Sequence, residues 1–265
     1  MAPYDFDAPD TDAILRSSDG KELLVHKLIL SLASPVFQGM FTLPQPTDSP
    51  SRIPIADVSE SSDILQPFIQ YLYPRPPPKV TDISMWAALY AIADKYGAER
   101  VAESLRDMLI PRFLDAYPLR VYVLASRWGF EEEAKVASRG TLTIDILKDF
   151  PPEDAELMGG VACQQLYLLH LGRREAARTL VVNHPLPFST DSSCQCPPPE
   201  YTSLIPSLSQ RVAARPWLTV EELHKEAARW IYPDRCNEHC RNAVKNMDVY
   251  FSSLLKGISE LPQTI

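Results

Sequence analysis

Residues 12–41 read DAILRSSDGKELLVHKLILSLASPVFQGMF, and this stretch decides the fold of the first half of the chain. Two strand-like runs meet across Ser18-Asp19-Gly20-Lys21. Asp-Gly between apolar runs is a strong hairpin signal, because glycine tolerates the positive φ that a tight turn requires. The stretch therefore begins with a predicted β-hairpin.

Two short helices are predicted directly after this hairpin. Apolar residues recur there at three- and four-residue steps, as they do on one face of a helix: Leu28, Ile29, Leu32 and Ala33. Ser34-Pro35 is typical of an N-cap followed by proline at the first helical position, and it predicts the start of the second helix. The buried face of that helix is expected to consist of Phe37, Met40 and Phe41.

The rest of the first half continues with one strand and three helices. Arg52 to Ile55 is a short apolar run that predicts a third strand. Ser62 or Asp63 is expected to cap one helix and Thr81-Asp82 the next, with Gly97 as the stop of the latter. The third helix is predicted from the apolar residues Val101, Leu105, Met108 and Leu109. These elements predict an α+β unit in which a small sheet covers one end of a helical cluster.

The second half of the chain is predicted to be mainly α-helical. A helix pair is expected around Gly129-Phe130, and residues 160–182 show a longer helical pattern with halves on either side of Gly172. Thr219-Val220-Glu221-Glu222 is a capping box, in which hydroxyl and carboxylate satisfy each other's backbone amides. A last helix is predicted to carry an apolar stripe from Val244 to Ile258.

The order of residues in the first half resembles the BTB/POZ domain. The positions of its consensus are filled by Asp12, His26, Lys27, Leu30, Ser34, Phe37, Met40 and Phe41. Tyr71-Leu72-Tyr73-Pro74 is similar to the family's Tyr-Ile-Tyr ending of a helix, and Ala93 to Gly97 is similar to its Ala-x-Lys-Tyr signature. Within this family, the sequence most resembles those of fungal proteins with a single BTB domain.

The resemblance divides the chain into three predicted parts. It places a BTB/POZ domain at residues 8–113 and a helical extension similar to the BACK type at residues 114–182. Residues 183–265 are then a helical C-terminal region that contains paired cysteines.

Composition and charge exclude several classes of function. The 265-residue chain carries a formal net charge of −8, and its isoelectric point is near 5.2. Direct binding to nucleic acid is not expected, because neutralising phosphates needs a dense basic face. Met1 to Asp12 lacks the features of a signal peptide, and the apolar runs are too short to span a membrane. We therefore expect a cytoplasmic or nuclear protein.

Four of the five cysteines form two close pairs, Cys194 with Cys196 and Cys236 with Cys240. Thiolates suit Zn²⁺, and two such pairs could close a tetrahedral structural site, in which His239 could replace one cysteine. The spacing differs from the regular two-residue knuckle. The alternative is that these residues are reduced, unliganded thiols.

Enzymatic motifs are scarce, and we predict that the protein is not an enzyme. The sequence contains no glycine-rich phosphate loop, no Gly-x-Ser-x-Gly elbow and no His-Glu-x-x-His pair. The five histidines show no shared spacing. Interaction with other proteins is favoured instead.

The resemblance implies an interaction surface, which we assign to Asp12, His26, Lys27, Leu28, Leu30, Leu32, Phe37, Met40 and Phe41. In the family such domains commonly form homodimers, and many members dock a cullin-type ubiquitin ligase scaffold. In some transcriptional members of the family, the acidic and basic residues at the positions of Asp12 and Lys27 form a charged pocket near the dimer surface. The alternative is that Asp12 caps or forms a salt bridge in a local turn while Lys27 faces solvent. His26 is expected to be a core or capping residue.

The predicted function is therefore a dimeric adaptor for a cullin-type ubiquitin ligase. Neither kelch repeats nor a Cys-His finger array follows the first half of the chain. The first alternative is a transcription-associated scaffold that recruits partners without binding DNA, and the second is a zinc-stabilised binding module in the C-terminal half.

Overall fold

A computed structural model of the chain describes residues 10–42, 53–146, 150–184, 198–215, 220–227 and 238–265. The chain divides into two compact units, Met1–Phe113 and Leu114–Ile265. Each unit has its own buried core and is described separately below.

The first unit contains a three-stranded sheet with the strand order β2-β1-β3. β1 (Ala13–Arg16) pairs antiparallel with β2 (Glu22–Val25), and Ala13 lies opposite Val25. Gly20 in the connecting turn has φ +82°, which confirms the hairpin and the role of glycine in it. β3 (Ile55–Asp57) runs parallel to β1 and includes Ile55 of the predicted third strand, whereas Arg52 lies outside the described residues.

Five helices accompany this sheet among the described residues of the first unit. They are α1 (Lys27–Ala33), α2 (Pro35–Thr42), α3 (Ser62–Leu72), α4 (Ile83–Lys95) and α5 (Glu99–Phe113). The Asp82 carboxylate accepts hydrogen bonds from the amides of Ser84 and Met85 at 2.8 and 2.9 Å, which confirms the predicted cap of α4. The indole of Trp86 is fully buried and donates to the Leu105 carbonyl at 2.7 Å, which joins α4 to α5.

The first turn of α3 is capped from a distant part of the chain. The preceding residue, Ser61, makes no side-chain capping bond. Instead, the Asp19 carboxylate in the hairpin turn accepts from the Ser62 amide at 2.9 Å and from the Ser62 hydroxyl at 2.6 Å. The expected local cap by Ser62 or Asp63 was wrong, because the hairpin supplies the acceptor. Hydrogen bonds from the hydroxyls of Ser17 and Ser62 lower the pKa of Asp19 to about 2.

Replacing Asp19 by alanine is expected to lower the melting temperature of the first unit at pH 7. The folded state holds Asp19 ionised, so its contribution is complete above the ordinary pKa near 4 and is lost as the pH falls toward 2. Thermal unfolding followed by circular dichroism should therefore separate the parent and the variant at pH 7 but not near pH 2. Asp107→Ala, at an exposed carboxylate of α5, is the control and should leave the melting temperature nearly unchanged.

The described part of the second unit is helical. Its helices are α6 (Pro118–Arg127), α7 (Glu131–Thr141), α8 (Pro152–Leu157), α9 (Gly160–Asn183), α10 (Pro198–Ala214), α11 (Val220–Ala227) and α12 (Glu238–Ser259). The turn between α6 and α7 contains Gly129 with φ +71°, as the predicted helix pair requires. α9 is one continuous helix through Gly172 and confirms the longer helical pattern predicted for residues 160–182.

One buried apolar cluster joins the second half of α9 to the three helices that follow it. Its members are Ala177, Val181, Leu208, Val212, Leu223, Tyr250, Phe251, Leu254 and Ile258. Helices from both sides of residue 183 therefore share a core, while the predicted division at that residue remains a prediction. Thr219 of the predicted capping box lies outside the described residues.

The fold class agrees with the prediction of an α+β unit followed by a helical region. Within the described ranges, no helix combines the length and the apolar character needed to cross a membrane.

Candidate interaction surface

The start of α1 is held in place by side chains from two other elements. The His26 amide donates to the Tyr73 hydroxyl at 3.0 Å, and His26 Nδ1 lies 2.9 Å from the same oxygen. Asp10 Oδ1 lies 3.1 Å from His26 Nε2, and this contact lowers the pKa of Asp10. His26 thus connects the first turn of α1 to the end of α3.

Asp12 also forms a hydrogen bond with the first turn of α1. Its carboxylate accepts a hydrogen bond from the Lys27 amide at 2.7 Å, which satisfies one of the free N–H groups at a helix start. Asp12 therefore caps a local turn, which was the predicted alternative to a charged pocket formed with Lys27. Lys27 itself is half-buried.

The Ala-x-Lys-Tyr signature forms a cluster of side-chain contacts at the end of α4. The Tyr96 hydroxyl donates to Glu60 at 2.8 Å, and the Lys95 ammonium contacts the other oxygen of Glu60 at 2.5 Å. Burial together with the bond to Glu60 raises the pKa of Tyr96 far above its ordinary value. Burial opposes ionisation of Glu60, yet the contacts from Lys95 and Tyr96 lower the pKa of Glu60.

Aromatic stacking packs Tyr96 of this cluster against α2. The rings of Tyr96 and Phe37 stack with centroids 4.5 Å apart, and Phe68 approaches Tyr96 at 5.7 Å. The Ser34 hydroxyl donates to the Tyr96 carbonyl at 2.5 Å and accepts from the Phe37 amide at 3.1 Å. The signature residues are therefore mainly structural, since they position α1 and α2 on the core.

The predicted interaction surface separates into exposed and buried residues. Leu28 and Leu32 are 70% and 81% exposed, and they lie four residues apart on one face of α1. Leu30 and Phe37 are fully buried, so assigning them to a surface was wrong; they belong to the core beneath it. Met40 and Phe41 are half-buried. The accessible apolar part is thus the Leu28/Leu32 face of α1.

A groove of about 1100 Å³ begins beside this face. Its walls come from the end of α1, the segment after α3 and the start of α5, and they include Leu32, Ala33, Tyr71, Pro74, Arg75 and Arg100. The Tyr71 hydroxyl is buried there without a hydrogen-bond partner among the described residues. Burial raises the pKa of this phenol. Nothing in the sequence indicated this groove, because residues about 70 positions apart form it.

The candidate metal ligands lie mostly beyond what the structure describes. Cys194, Cys196 and Cys236 are outside the described ranges, and Cys240 belongs to α12 without a described side chain. The fifth cysteine, Cys163, is an exposed free thiol on α9. Among the described residues, no three His, Cys, Asp or Glu side chains are grouped as a metal site would require. Structural zinc therefore stays a prediction, which metal analysis of the purified protein would test.

The first unit is a small mixed sheet against five helices with an exposed apolar face on α1. Its family follows from comparison with known domains. Residues 7–112 match the BTB/POZ domain, and the chain therefore contains such a domain at the place where the resemblance put it. BTB domains are interaction modules and are not generally enzymes, so interaction with other proteins is the function that this match supports.

Proposed function

We propose that the protein is a self-associating adaptor whose BTB domain pairs through the Leu28/Leu32 face of α1. The observation that carries this proposal is the exposure of two leucines on one face of a seven-residue helix. Burying a leucine side chain contributes about 1.5 to 3 kcal/mol. A two-fold contact buries both leucines of each copy, and this gain favours pairing.

Leu32→Glu is expected to convert the protein from a dimer to a monomer of 29.8 kDa in sedimentation velocity. A charge buried in a symmetric contact faces its own copy, which disfavours pairing by both repulsion and desolvation. Leu168→Glu is the matched control, because this leucine of α9 is 54% exposed in the second unit and should leave the mass unchanged. A folded Leu32→Glu variant that keeps the dimer mass, or a monomeric parent, would contradict the proposal.

The partner that we propose for the dimer is a cullin-type ubiquitin ligase scaffold. The match of residues 7–112 to the BTB/POZ domain supports this choice. A transcription-associated scaffold without direct DNA contact is the alternative, and the net charge of −8 is compatible with it. Pull-down of a purified cullin by the full chain tests the first role, and failure to retain it at micromolar concentrations would favour the second. We propose the cytoplasm or the nucleus as the compartment for either role.

A further inference from the structure

The groove beside α1 carries an excess of positive charge, although the chain is acidic overall. Arg75 and Arg100 are exposed in its walls, and Glu99 is the one acidic residue among the described wall residues. The chain as a whole has a formal net charge of −8. Because a groove concentrates the field of the charges that line it, this local excess favours an acidic occupant.

Most of the other wall residues of the groove are apolar. Leu32 is 81% exposed, and Pro74, Pro76 and Pro77 are exposed in the segment that follows α3. A site with an apolar lining and a few charged groups selects an occupant that has both characters. We therefore expect an occupant with aromatic or aliphatic side chains next to carboxylates.

The first nine residues of the chain have this composition. They read MAPYDFDAP, in which Tyr4 and Phe6 alternate with Asp5 and Asp7. These residues lie outside the described part of the structure. In an extended backbone, successive side chains point to opposite sides, so the two rings share one side and the two carboxylates share the other. Residues 1–9 can thus present rings to the apolar walls and carboxylates to the arginines.

The first described residue is connected to the groove wall through one side chain. Asp10 Oδ1 lies 3.1 Å from His26 Nε2. The other ring nitrogen of His26 lies 2.9 Å from the hydroxyl of Tyr73, which belongs to the wall. Nine extended residues span up to about 30 Å, so residues 1–9 can reach the groove without any change in the described fold.

We propose that residues 1–9 bind in the groove of their own chain. Tyr4 and Phe6 pack against the apolar walls, while Asp5 and Asp7 pair with the two arginines of the walls. The segment then competes with acidic, aromatic segments of other proteins, which gain access to the groove only when residues 1–9 leave it. This contact does not depend on the pairing of two copies through α1.

Photo-cross-linking of the full chain tests this contact. Benzoylphenylalanine in place of Phe6 keeps an aromatic ring and, under light, joins covalently to C–H groups next to it. Mass spectrometry should find its cross-links in peptides that contain residues 71–77 or 97–104 of the groove walls. The cross-linked protein should keep the mass of a single chain on a denaturing gel.

Reversing the charges of the groove should release the segment. Arg75→Glu combined with Arg100→Glu, the wall variant, is expected to reduce the cross-links by about fivefold, because two exposed ion pairs are replaced by repulsion. Arg106→Glu is the matched control, since this exposed arginine of α5 is not a wall residue. Adding Asp5→Arg and Asp7→Arg to the wall variant should restore the cross-links, which also shows that the wall variant is folded.

Several outcomes would overturn the proposal. Cross-links to residues outside the groove walls, or none at all, would show that the segment does not bind there. Cross-links that double the mass would show that a second copy receives the segment. Equal yields in the parent and the wall variant, or no restoration by the reversed aspartates, would show that charge does not select it. Sedimentation of Leu32→Glu tests self-association separately, so either proposal can fail alone.

Discussion

Phe37→Ala is expected to reduce the free energy of unfolding of the first unit by about 3 to 5 kcal/mol, the usual cost of removing a buried phenylalanine ring. Phe37 is fully buried, and its ring stacks between Tyr96 at 4.5 Å and Phe41 at 6.2 Å. Deleting the ring leaves a cavity next to Tyr96, which also contacts Glu60. The loss is thus concentrated where α2 meets the end of α4.

Hydrogen exchange of the slowest amides in α4 would measure this change within the first unit. Leu32→Ala is the control, since a side chain that is 81% exposed contributes little to folding and should change the same quantity by less than about 0.5 kcal/mol. The two variants also separate folding from association. A Phe37→Ala variant that keeps its stability but loses self-association would show that Phe37 belongs to the interaction surface to which the family resemblance assigned it.

The assignment of Leu30 to the interaction surface shows where prediction from sequence failed, whereas the predicted burial of Phe37 is confirmed. Leu28, Leu30 and Leu32 alternate within a seven-residue helix, so apolar residues occupy both of its sides. Periodicity identifies a helix in such a stretch, but it cannot tell which side meets the core. Only the packing of α1 against the rest of the unit leaves Leu28 and Leu32 exposed while Leu30 is buried.

Sequence patterns predicted correctly those features that depend only on residues close together in the chain. The Asp19-Gly20 turn and the Asp82 cap depend on residues within three positions, and both were predicted. The contacts that position the candidate surface are different, since Tyr73 binds His26 from 47 positions away and Asp19 binds Ser62 from 43. No spacing rule in a single sequence identifies such pairs, and resemblance to a family indicates the residues without their roles.

The second unit should lose about 3 kcal/mol of folding free energy as the pH falls from 6.5 to 4, because of His170. This histidine is 6% exposed, and its Nε2 lies 3.0 Å from the Thr141 hydroxyl. That hydroxyl gives its proton to the Ser138 carbonyl at 2.6 Å, so Nε2 must be the donor, and a second proton would have to enter at Nδ1. Burial, supported by the charge of Arg174, lowers the pKa of His170 to about 4.

The direction of the effect follows from proton binding. Between pH 4 and 6.5 the unfolded chain holds a proton on His170 and the folded chain does not, so folding becomes less favourable as the pH falls. At about 1.4 kcal/mol per pKa unit, the difference from the ordinary value of 6.5 is worth about 3.5 kcal/mol in total, and roughly 3 kcal/mol of it is lost between pH 6.5 and 4. The contribution is fully present above pH 6.5 and is lost progressively down to pH 4.

Urea unfolding at several pH values, followed by tryptophan fluorescence, would measure this dependence, since three of the four tryptophans lie in residues 114–265. His170→Gln is the comparison, because glutamine keeps a donor for Thr141 but does not titrate. The parent should lose about 3 kcal/mol more than this variant between pH 6.5 and 4, since all other titrating groups are shared. Parallel pH profiles for the two proteins would show that His170 titrates normally and that its burial does not exclude the second proton.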